Sequence, residues 1–281
     1  MKLVLTILLA LAFSGAAGAQ TLSPDQIKAI IASPDRTAAD RTNDQRRHPE
    51  DILAFLALKP GLTALDLSAG GGYTTELLAR ALGPTGKVYG QSRPRPATPP
   101  PAPTNPEGNA NPSATPAAAP PPPPAAPPRP SPVALADRDS RMKAANVASA
   151  PIVVVVQPFE DPVPAEVADG KLDLVTLMFN YHDLGFLNVD RAAMNKAVFK
   201  ALKPGGFYVI ADHSGRPGTG ISESGTLHRI EEAFLRKEVE AAGFKLAGEG
   251  NFLRNPNDPR DKNTPDPPMP KDEFFLKFVK P

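Results

Sequence analysis

Two sets of residues in this sequence have types and spacings that suit chemistry. The first is the run from Leu65 to Glu76, LDLSAGGGYTTE, where an acid precedes three consecutive glycines. Glycines allow a sharp backbone turn and let a ligand approach main-chain N–H groups. The second set is two acid and histidine pairs, His182-Asp183 and Asp212-His213. A histidine beside a carboxylate suits a general base, and the same side chains suit a divalent metal ion.

The details of the glycine run distinguish between several loops that look alike. A phosphate-binding P-loop needs Gly-Lys-Ser/Thr at the start of the helix, and the sequence has GYT there. A dinucleotide fingerprint counted from Gly70 meets Thr75 where its third glycine is required. The pattern D-x-G-x-G-x-G fits from Asp66 to Gly72 with one substitution, Ser68 for the first glycine. The sequence therefore favours this third kind of cofactor loop.

Alternating strand and helix signals place both sets of residues at one edge of a sheet. Short apolar runs predict seven strands: Leu62–Leu67, Lys87–Gln91, Ile152–Val156, Leu172–Met178, Phe207–Ala211, Phe244–Leu253 and Phe274–Val279. Helices between the first five imply parallel pairing, and the last two lack a helix between them, which implies an antiparallel ending. Ligands of such sheets bind at the carboxyl ends of the strands.

Helices are predicted on both sides of these strands. They cover Pro24–Ala32, Pro49–Leu58, Thr74–Leu82, Val133–Ala145, Asp190–Leu202 and Thr226–Ala242, the last of which contains His228. The first begins at a capping box, SPDQ, with proline at the first helical position. Residues Ser33–Arg47 are strongly polar and are predicted to be a link without regular structure.

The loop and sheet order resemble motif I and the fold of class I S-adenosylmethionine-dependent methyltransferases. LKPGGFYVIAD and VEAAGF resemble the turn, strand and helix of the same superfamily. A closer resemblance, to exported bacterial predicted methyltransferases, rests on DRTNDQRRHPEDILAFLALKPG, MFNYHD, ADHSG, LHRIEE and FLKFVKP together with the glycine run. The resemblance implies an α/β, Rossmann-like class I methyltransferase fold. Its sheet would be mostly parallel and seven-stranded, with an antiparallel last strand.

The resemblance also implies the residues of the site. Those expected to hold S-adenosylmethionine are Asp66, Ser68, Ala69, Gly70, Gly71, Gly72, Gln91, Ser92 and Asn180. Relatives use an acid after the second strand to bind both ribose hydroxyls; the uncharged pair Gln91-Ser92 stands there in this sequence. The expected catalytic residues are His182, Asp183, Asp212 and His213. A general base, a structural role and a metal site remain open for them, and no metal ligand is assigned.

Composition narrows the classes of partner and chemistry. The formal net charge is +1, which gives no broad basic surface and does not favour nucleic acid as a partner. The chain has no cysteine, so cysteine nucleophiles and metal thiolates are excluded. Only four histidines are present, which argues against a zinc cage of several imidazoles.

Two segments are set apart from the predicted domain. Residues 1–19 have one lysine, an apolar run and a closing A-x-A, and are predicted to be a signal peptide cleaved after Ala19. The protein is therefore expected to be exported, periplasmic or secreted, without stable membrane insertion. Residues 94–132 contain 18 of the 36 prolines, so 93–132 is predicted to be a disordered insertion. The remainder, 20–92 and 133–281, is predicted to form one domain.

The expected function is methyl transfer from S-adenosylmethionine to a small-molecule acceptor. One alternative is an exported, non-catalytic ligand-binding protein that keeps the fold. Another is an NADP-linked oxidoreductase, which the missing third glycine disfavours. The sequence identifies neither the acceptor nor the oligomeric state.

Overall fold

A seven-stranded sheet organises the chain in the computed structural model, which describes residues 20–94, 129–263 and 269–281. The strands lie in the order β3-β2-β1-β4-β5-β7-β6. They are β1 (Thr63–Leu67), β2 (Lys87–Ser92), β3 (Ile152–Val156), β4 (Leu172–Met178), β5 (Leu202–His213), β6 (Lys245–Gly250) and β7 (Glu273–Val279). Pairing is parallel from β3 to β5, and β7 runs antiparallel to both β5 and β6. The predicted fold class is confirmed.

Eight α-helices are described. They are α1 (Pro24–Ala32), α2 (Ala38–Arg47), α3 (Pro49–Leu56), α4 (Tyr73–Leu82), α5 (Ser131–Ala144), α6 (Asp183–Phe186), α7 (Arg191–Ala201) and α8 (Glu232–Ala241). A short 3₁₀ helix spans Ala165–Val167. The predicted capping box of α1 is present, with Ser23 Oγ accepting from the Gln26 N–H and the Gln26 side chain accepting from the Ser23 N–H.

Apolar residues cover both faces of the sheet. Successive residues of a strand point to opposite faces. In β1, Leu65 and Leu67 join one buried cluster with side chains of α7 and α8, whereas Ala64 joins a second cluster with α1, α3, α4 and α5. Asp66 shares the parity of Ala64 and is therefore directed to the side of α4. The glycine loop that follows β1 is fixed between these two apolar layers.

Several elements differ from the sequence predictions, and three of the differences are large. The polar stretch expected to be a link contains α2, because Thr37 caps the helix by accepting from the Asp40 N–H. Strand β5 extends from Leu202 to His213, beyond the predicted core of Phe207–Ala211. Helix α8 begins at Glu232 rather than Thr226, and the residues before it form turns.

The predicted signal peptide, 1–19, lies outside the described residues. So do residues 95–128, the greater part of the predicted insertion, while the described end of that insertion already begins α5 at Ser131. Among the residues that the structure describes, none of the helices has the length and apolar character needed to cross a bilayer.

Candidate active site

The glycine run forms a tight turn from β1 into α4. Ser68, Gly70 and Gly72 all have positive φ, at 53°, 54° and 77°. This is the left-handed region that glycine adopts readily and other residues only at a cost. Ser68 therefore adopts the left-handed conformation at the position where the pattern has its first glycine. A Cβ at Gly72 would lie 2.8 Å from Arg138 Cδ, so glycine there also lets α5 approach the loop.

Asp66 is buried beneath this turn. Its carboxylate accepts hydrogen bonds from the Thr75 hydroxyl at 2.6 Å and the Thr176 hydroxyl at 2.7 Å. Burial raises the pKa of Asp66 to about 6, although both hydroxyls favour the ionised form. The predicted motif acid thus ties the end of β1 to α4 and β4, and it also lines a cavity above the loop.

Gln91 holds three strand ends together. Its side-chain oxygen accepts from the Ser68 N–H at 3.0 Å, and its amide donates to the Gln157 carbonyl at 2.7 Å. The side chain is fully buried. Both polar ends of Gln91 therefore bond protein groups, and a ribose contact would require this buried side chain to become accessible. The neighbouring Ser92 has a buried hydroxyl without a hydrogen-bond partner among the described residues.

An open cavity of about 260 Å³ lies over the glycine loop. Its lining includes every loop residue from Asp66 to Gly71, together with Asn43, Arg47, Tyr73, Thr74, Arg138 and Met178. Asn43 and Arg47 belong to α2, so the helix that was not predicted forms one wall of this cavity. Four of the predicted cofactor residues are not among the residues that line it: Gly72, Gln91, Ser92 and Asn180.

A network of buried charges fixes the helices around the loop. Glu76, in the first turn of α4, accepts from Arg80 of the same helix and from Arg138 and Arg141 of α5. Arg138 also bonds Asp40 of α2 at 2.7 and 3.0 Å and donates to the Gly71 carbonyl at 2.5 Å. The Glu76 carboxylate therefore bonds α5 directly and is connected through Arg138 to α2 and the glycine loop.

The second predicted set of residues converges at the ends of β4 and β5. Asp212 is fully buried and accepts from His182 Nδ1 at 2.6 Å and from the backbone N–H groups of His182 and His213 at 2.8 Å each. His182 Nε2 lies 3.1 Å from Asp183 Oδ1. Asn180, predicted to touch the cofactor, donates to Asp183 at 2.7 Å and bonds Ser68 at 2.5 Å.

His182 is held between two carboxylates. Burial opposes its charge, but Asp212 and Asp183 outweigh that effect and raise the pKa of His182 to about 10. A histidine that is protonated at neutral pH cannot accept a proton there. In this arrangement His182 is poorly suited to be the general base, and Asp212 serves to orient it.

His213 has a different environment. Burial and the nearby Lys271 hold the pKa of His213 well below its ordinary value, so its imidazole is neutral. Glu273 Oε1 lies 2.9 Å from His213 Nδ1, out of line for a good hydrogen bond. Burial raises the pKa of Glu273 to about 7, and burial lowers the pKa of Lys271 to about 8. Three groups that titrate near or below neutrality therefore meet at this point.

These three side chains line a larger cavity of about 580 Å³. Its other walls come from the end of α2 and from the segments between β6 and β7, by way of Gln45, Arg46, His48, Phe252, Leu253, Arg254, Asn255, Asn263, Met269 and Pro270. Helix α2 thus contributes to both cavities, through Arg47 to the smaller and Arg46 to the larger.

A stack of side chains lies between the two cavities. The Arg47 guanidinium sits 3.8 Å from the centre of the Phe179 ring, and the Phe179 and His213 rings have centres 5.6 Å apart. Within the described part of the chain, Arg47 has no carboxylate at ion-pair distance. Burial lowers the pKa of Arg47 to about 10, so it is still charged at neutral pH. A partly buried cation therefore faces the glycine loop without a neutralising partner among the described residues.

Known structures share this architecture. No protein-family model matches the chain, and no curated protein matches it. A methyltransferase from Aquifex aeolicus that depends on S-adenosylmethionine has a TM-score of 0.51 at 16% identity over 92% of this chain and 100% of its own. A chain of the complex between the Trm112 methyltransferase activator and a methyltransferase of Haloferax volcanii has a TM-score of 0.53 at 17% identity, covering 92% and 97%.

This chain has the class I methyltransferase fold. The [4+2]-cyclase SpnF also resembles it, with a TM-score of 0.50 at 13% identity over 83% of this chain and 82% of its own. Because the similar structures include a cyclase, the fold alone does not decide the reaction. The reaction depends on the residues of the two cavities.

Three important residues were not predicted in their roles. Glu273 lies opposite His213 in the antiparallel register of β5 and β7, and both residues lie just outside the predicted strands. Arg47 lay in the supposed link. His228 was placed on a helix, but it has φ of 52° in a turn and its Nδ1 lies 3.1 Å from Asp183 Oδ1.

Proposed function

We propose that this protein transfers a methyl group from S-adenosylmethionine, bound over the glycine loop, to a small molecule in the larger cavity. The observation that carries the proposal is the pair of cavities on either side of the Arg47, Phe179 and His213 stack. One has the loop of a methyl-donor site and the other has titratable groups that suit an acceptor. Methyl transfer requires the donor and acceptor to meet in line, so the two ligands must reach each other past the edge of this stack.

Arg47 supports the donor side of the proposal. The methionine end of S-adenosylmethionine carries a carboxylate, and a partly buried guanidinium without an ion pair is a strong partner for it. The loop offers main-chain N–H groups, and a Cβ added at Gly71 would meet nothing within 4 Å. We assign Arg47 to the carboxylate, and the turn from Ser68 to Gly71 to the rest of the methionine end.

His213 supports the acceptor side. A hydroxyl or amine acceptor must lose its proton as the methyl group arrives, and a neutral imidazole in the acceptor cavity can take it. Glu273 beside Nδ1 stabilises the imidazolium that results, which leaves Nε2 as the proton acceptor. We therefore assign the general base to His213 rather than to His182, and treat Asp212 as the residue that holds both histidines in place.

Binding of the cofactor gives the first test. Arg47→Met should weaken S-adenosylmethionine binding by about 10- to 100-fold in calorimetry, since charge-assisted hydrogen bonds contribute roughly 1.5–3 kcal/mol. Arg41→Met, on the exposed side of the same helix, should leave binding unchanged. S-adenosylhomocysteine should bind and NADP should not. A folded protein that gives no heat with either sulfur ligand would end the proposal.

Export is also proposed, from the sequence of residues 1–19. The mature chain should then begin at Gln20, and N-terminal sequencing of protein recovered from the periplasmic fraction measures this directly. An intact Met1 on protein found in the cytosol would contradict export. The outcome does not affect the two-cavity proposal, because the lining residues described for both cavities all come after Gln20.

A further inference from the structure

A cluster of two histidines and one carboxylate lies at the ends of β4 and β5. Asp183 Oδ1 is 3.1 Å from His182 Nε2 and 3.1 Å from His228 Nδ1, and one ligand atom from each residue lies within 4.8 Å of the others. Within residues 20–94, 129–263 and 269–281, these three side chains are the one group of His, Cys, Asp or Glu residues close enough to share a metal ion. The sequence prediction assigned no metal ligand, and it placed His228 on a helix.

The spacing fits a metal ion with short bonds. Zinc binds histidine nitrogen and carboxylate oxygen at about 2.0–2.2 Å, which separates tetrahedral ligand atoms by roughly 3.3 Å. Both measured separations to Asp183 are close to that value. The Asp183 carboxylate contacts both histidine rings directly. A bound ion would replace these two contacts with little movement of the backbone.

Further hydrogen bonds orient the two side chains that follow β4, His182 and Asp183. Histidine ligands generally donate their other ring nitrogen to a carboxylate, which fixes the tautomer and directs the free nitrogen to the metal. His182 does this, with Nδ1 at 2.6 Å from the buried Asp212. Asp183 is oriented by Asn180, whose amide donates to Oδ2 and leaves Oδ1 toward the two histidines.

His228 is held in an unusual backbone conformation. Its φ of 52° lies in the left-handed region, which costs free energy for a residue with a Cβ and tends to occur at functional sites. Its neighbours fix the turn: Arg229 is fully buried and bonds Asp258 at 2.8 and 3.1 Å, and Ile230 pairs with Ser214. The turn directs His228 to Asp183 although no helix positions it.

We propose that His182 Nε2, Asp183 Oδ1 and His228 Nδ1 form a site for a divalent first-row transition ion, with zinc as its representative. Two imidazoles and one carboxylate are borderline ligands that suit zinc, iron or cobalt, whereas magnesium and calcium prefer all-oxygen sets. The Asp183 and His228 side chains are each about one quarter exposed, at 28% and 27%, which provides an entry path. Three protein ligands leave a fourth position for water or a ligand atom.

The site is connected to the glycine loop. Asn180 bonds both Asp183 and Ser68, so a metal that fixes Asp183 also fixes the turn that follows β1. The inference does not depend on methyl transfer, since the three ligands bind an ion whether or not the loop holds a cofactor. Its test therefore uses metal binding and no enzyme activity.

Titration of the purified protein with Zn²⁺ and Co²⁺ tests the site. We expect one ion per chain by calorimetry, and Co²⁺ should give visible absorption bands typical of a tetrahedral nitrogen and oxygen site. Asp183→Asn and His228→Asn should each weaken Zn²⁺ binding more than about 100-fold, and Asp212→Asn about 10- to 100-fold. Asparagine is chosen at 228 because it tolerates the left-handed region.

Asp51→Asn is the matched control for Asp183→Asn. Asp51 is half-exposed and its Oδ2 lies 3.5 Å from His48 Nδ1, so it is another carboxylate beside a histidine, outside the three-residue cluster. It should leave Zn²⁺ affinity unchanged, and thermal unfolding should show that each variant is folded. Unchanged Zn²⁺ affinity in both folded ligand variants would overturn the proposal. So would a folded wild-type protein that binds no Zn²⁺.

Discussion

Glu76→Gln should lower the free energy of unfolding by about 3 kcal/mol, because it removes the charge at the centre of a buried network. The Glu76 side chain is 2% exposed and accepts from Arg80, Arg138 and Arg141. A glutamine of the same size would direct an N–H₂ group at guanidinium donors. This loss of stability is at the low end for a broken buried ion pair, because Arg80 keeps its ion pair with Asp35 and Arg138 keeps its ion pair with Asp40.

The same substitution should loosen the cavity over the glycine loop. Arg138 bonds Glu76, Asp40 and the Gly71 carbonyl, so its displacement releases α2 and the loop together. Urea unfolding measures the loss of stability. Glu50→Gln, the same change at an exposed position in the first turn of α3, should cost no more than about 1 kcal/mol. Equal losses in the two variants would contradict a special role for Glu76.

The sheet could be predicted because its strands are buried on both faces. Runs such as Ile152–Val156 and Leu172–Met178 are mostly apolar and bounded by turns, and the structure reproduces their ends. The antiparallel ending followed from two strands without a helix between them. Strands inside a doubly wound sheet are covered on both faces and are therefore mostly apolar. This part of the fold can be predicted from residue types alone.

Helix α2 could not be recognised from apolar periodicity. Its inner face bears Asp40, Asp44 and Arg47, which form ion pairs or a ring contact instead of apolar packing. A helix of this kind looks like a solvated link when only hydrophobic spacing is considered. The cap at Thr37 was a local signal that could have predicted its start.

The side chains that meet at the ends of β4 and β5 could be predicted from the sequence, but the protonation states of the two histidines could not. Strand ends that meet at one edge brought His182, Asp183, Asp212 and His213 together as expected. Which histidine is protonated depends on contacts of a few ångströms: His182 lies against two carboxylates, while His213 is buried beside Lys271. Such distances are set by side-chain packing, and residue spacing in the sequence does not encode them.

His213→Gln should reduce methyl transfer by about 10²- to 10⁴-fold, the usual contribution of a positioned general base, while S-adenosylmethionine binds with nearly normal affinity. Turnover would be followed as S-adenosylhomocysteine formed with the best acceptor from a panel of small phenols, amines and thiols. His213 lines the larger cavity and does not line the one over the loop, so its loss should affect the reaction more than the cofactor.

Glu273→Gln distinguishes a working pair from a merely structural one through the pH profile. The pKa of Glu273 is raised to about 7 by burial, with Arg47, Arg46, Asp212 and Lys271 as the neighbouring charges. Below that pH Glu273 is protonated and cannot stabilise a charged His213, so wild-type turnover should fall as the pH drops through about 7. The glutamine variant should be slow and should lose this step. Glu249→Gln, at an exposed position of β6, should retain both the rate and the step. If Glu273→Gln keeps the step, Glu273 is not the group that titrates, and the base must be sought elsewhere in the cavity.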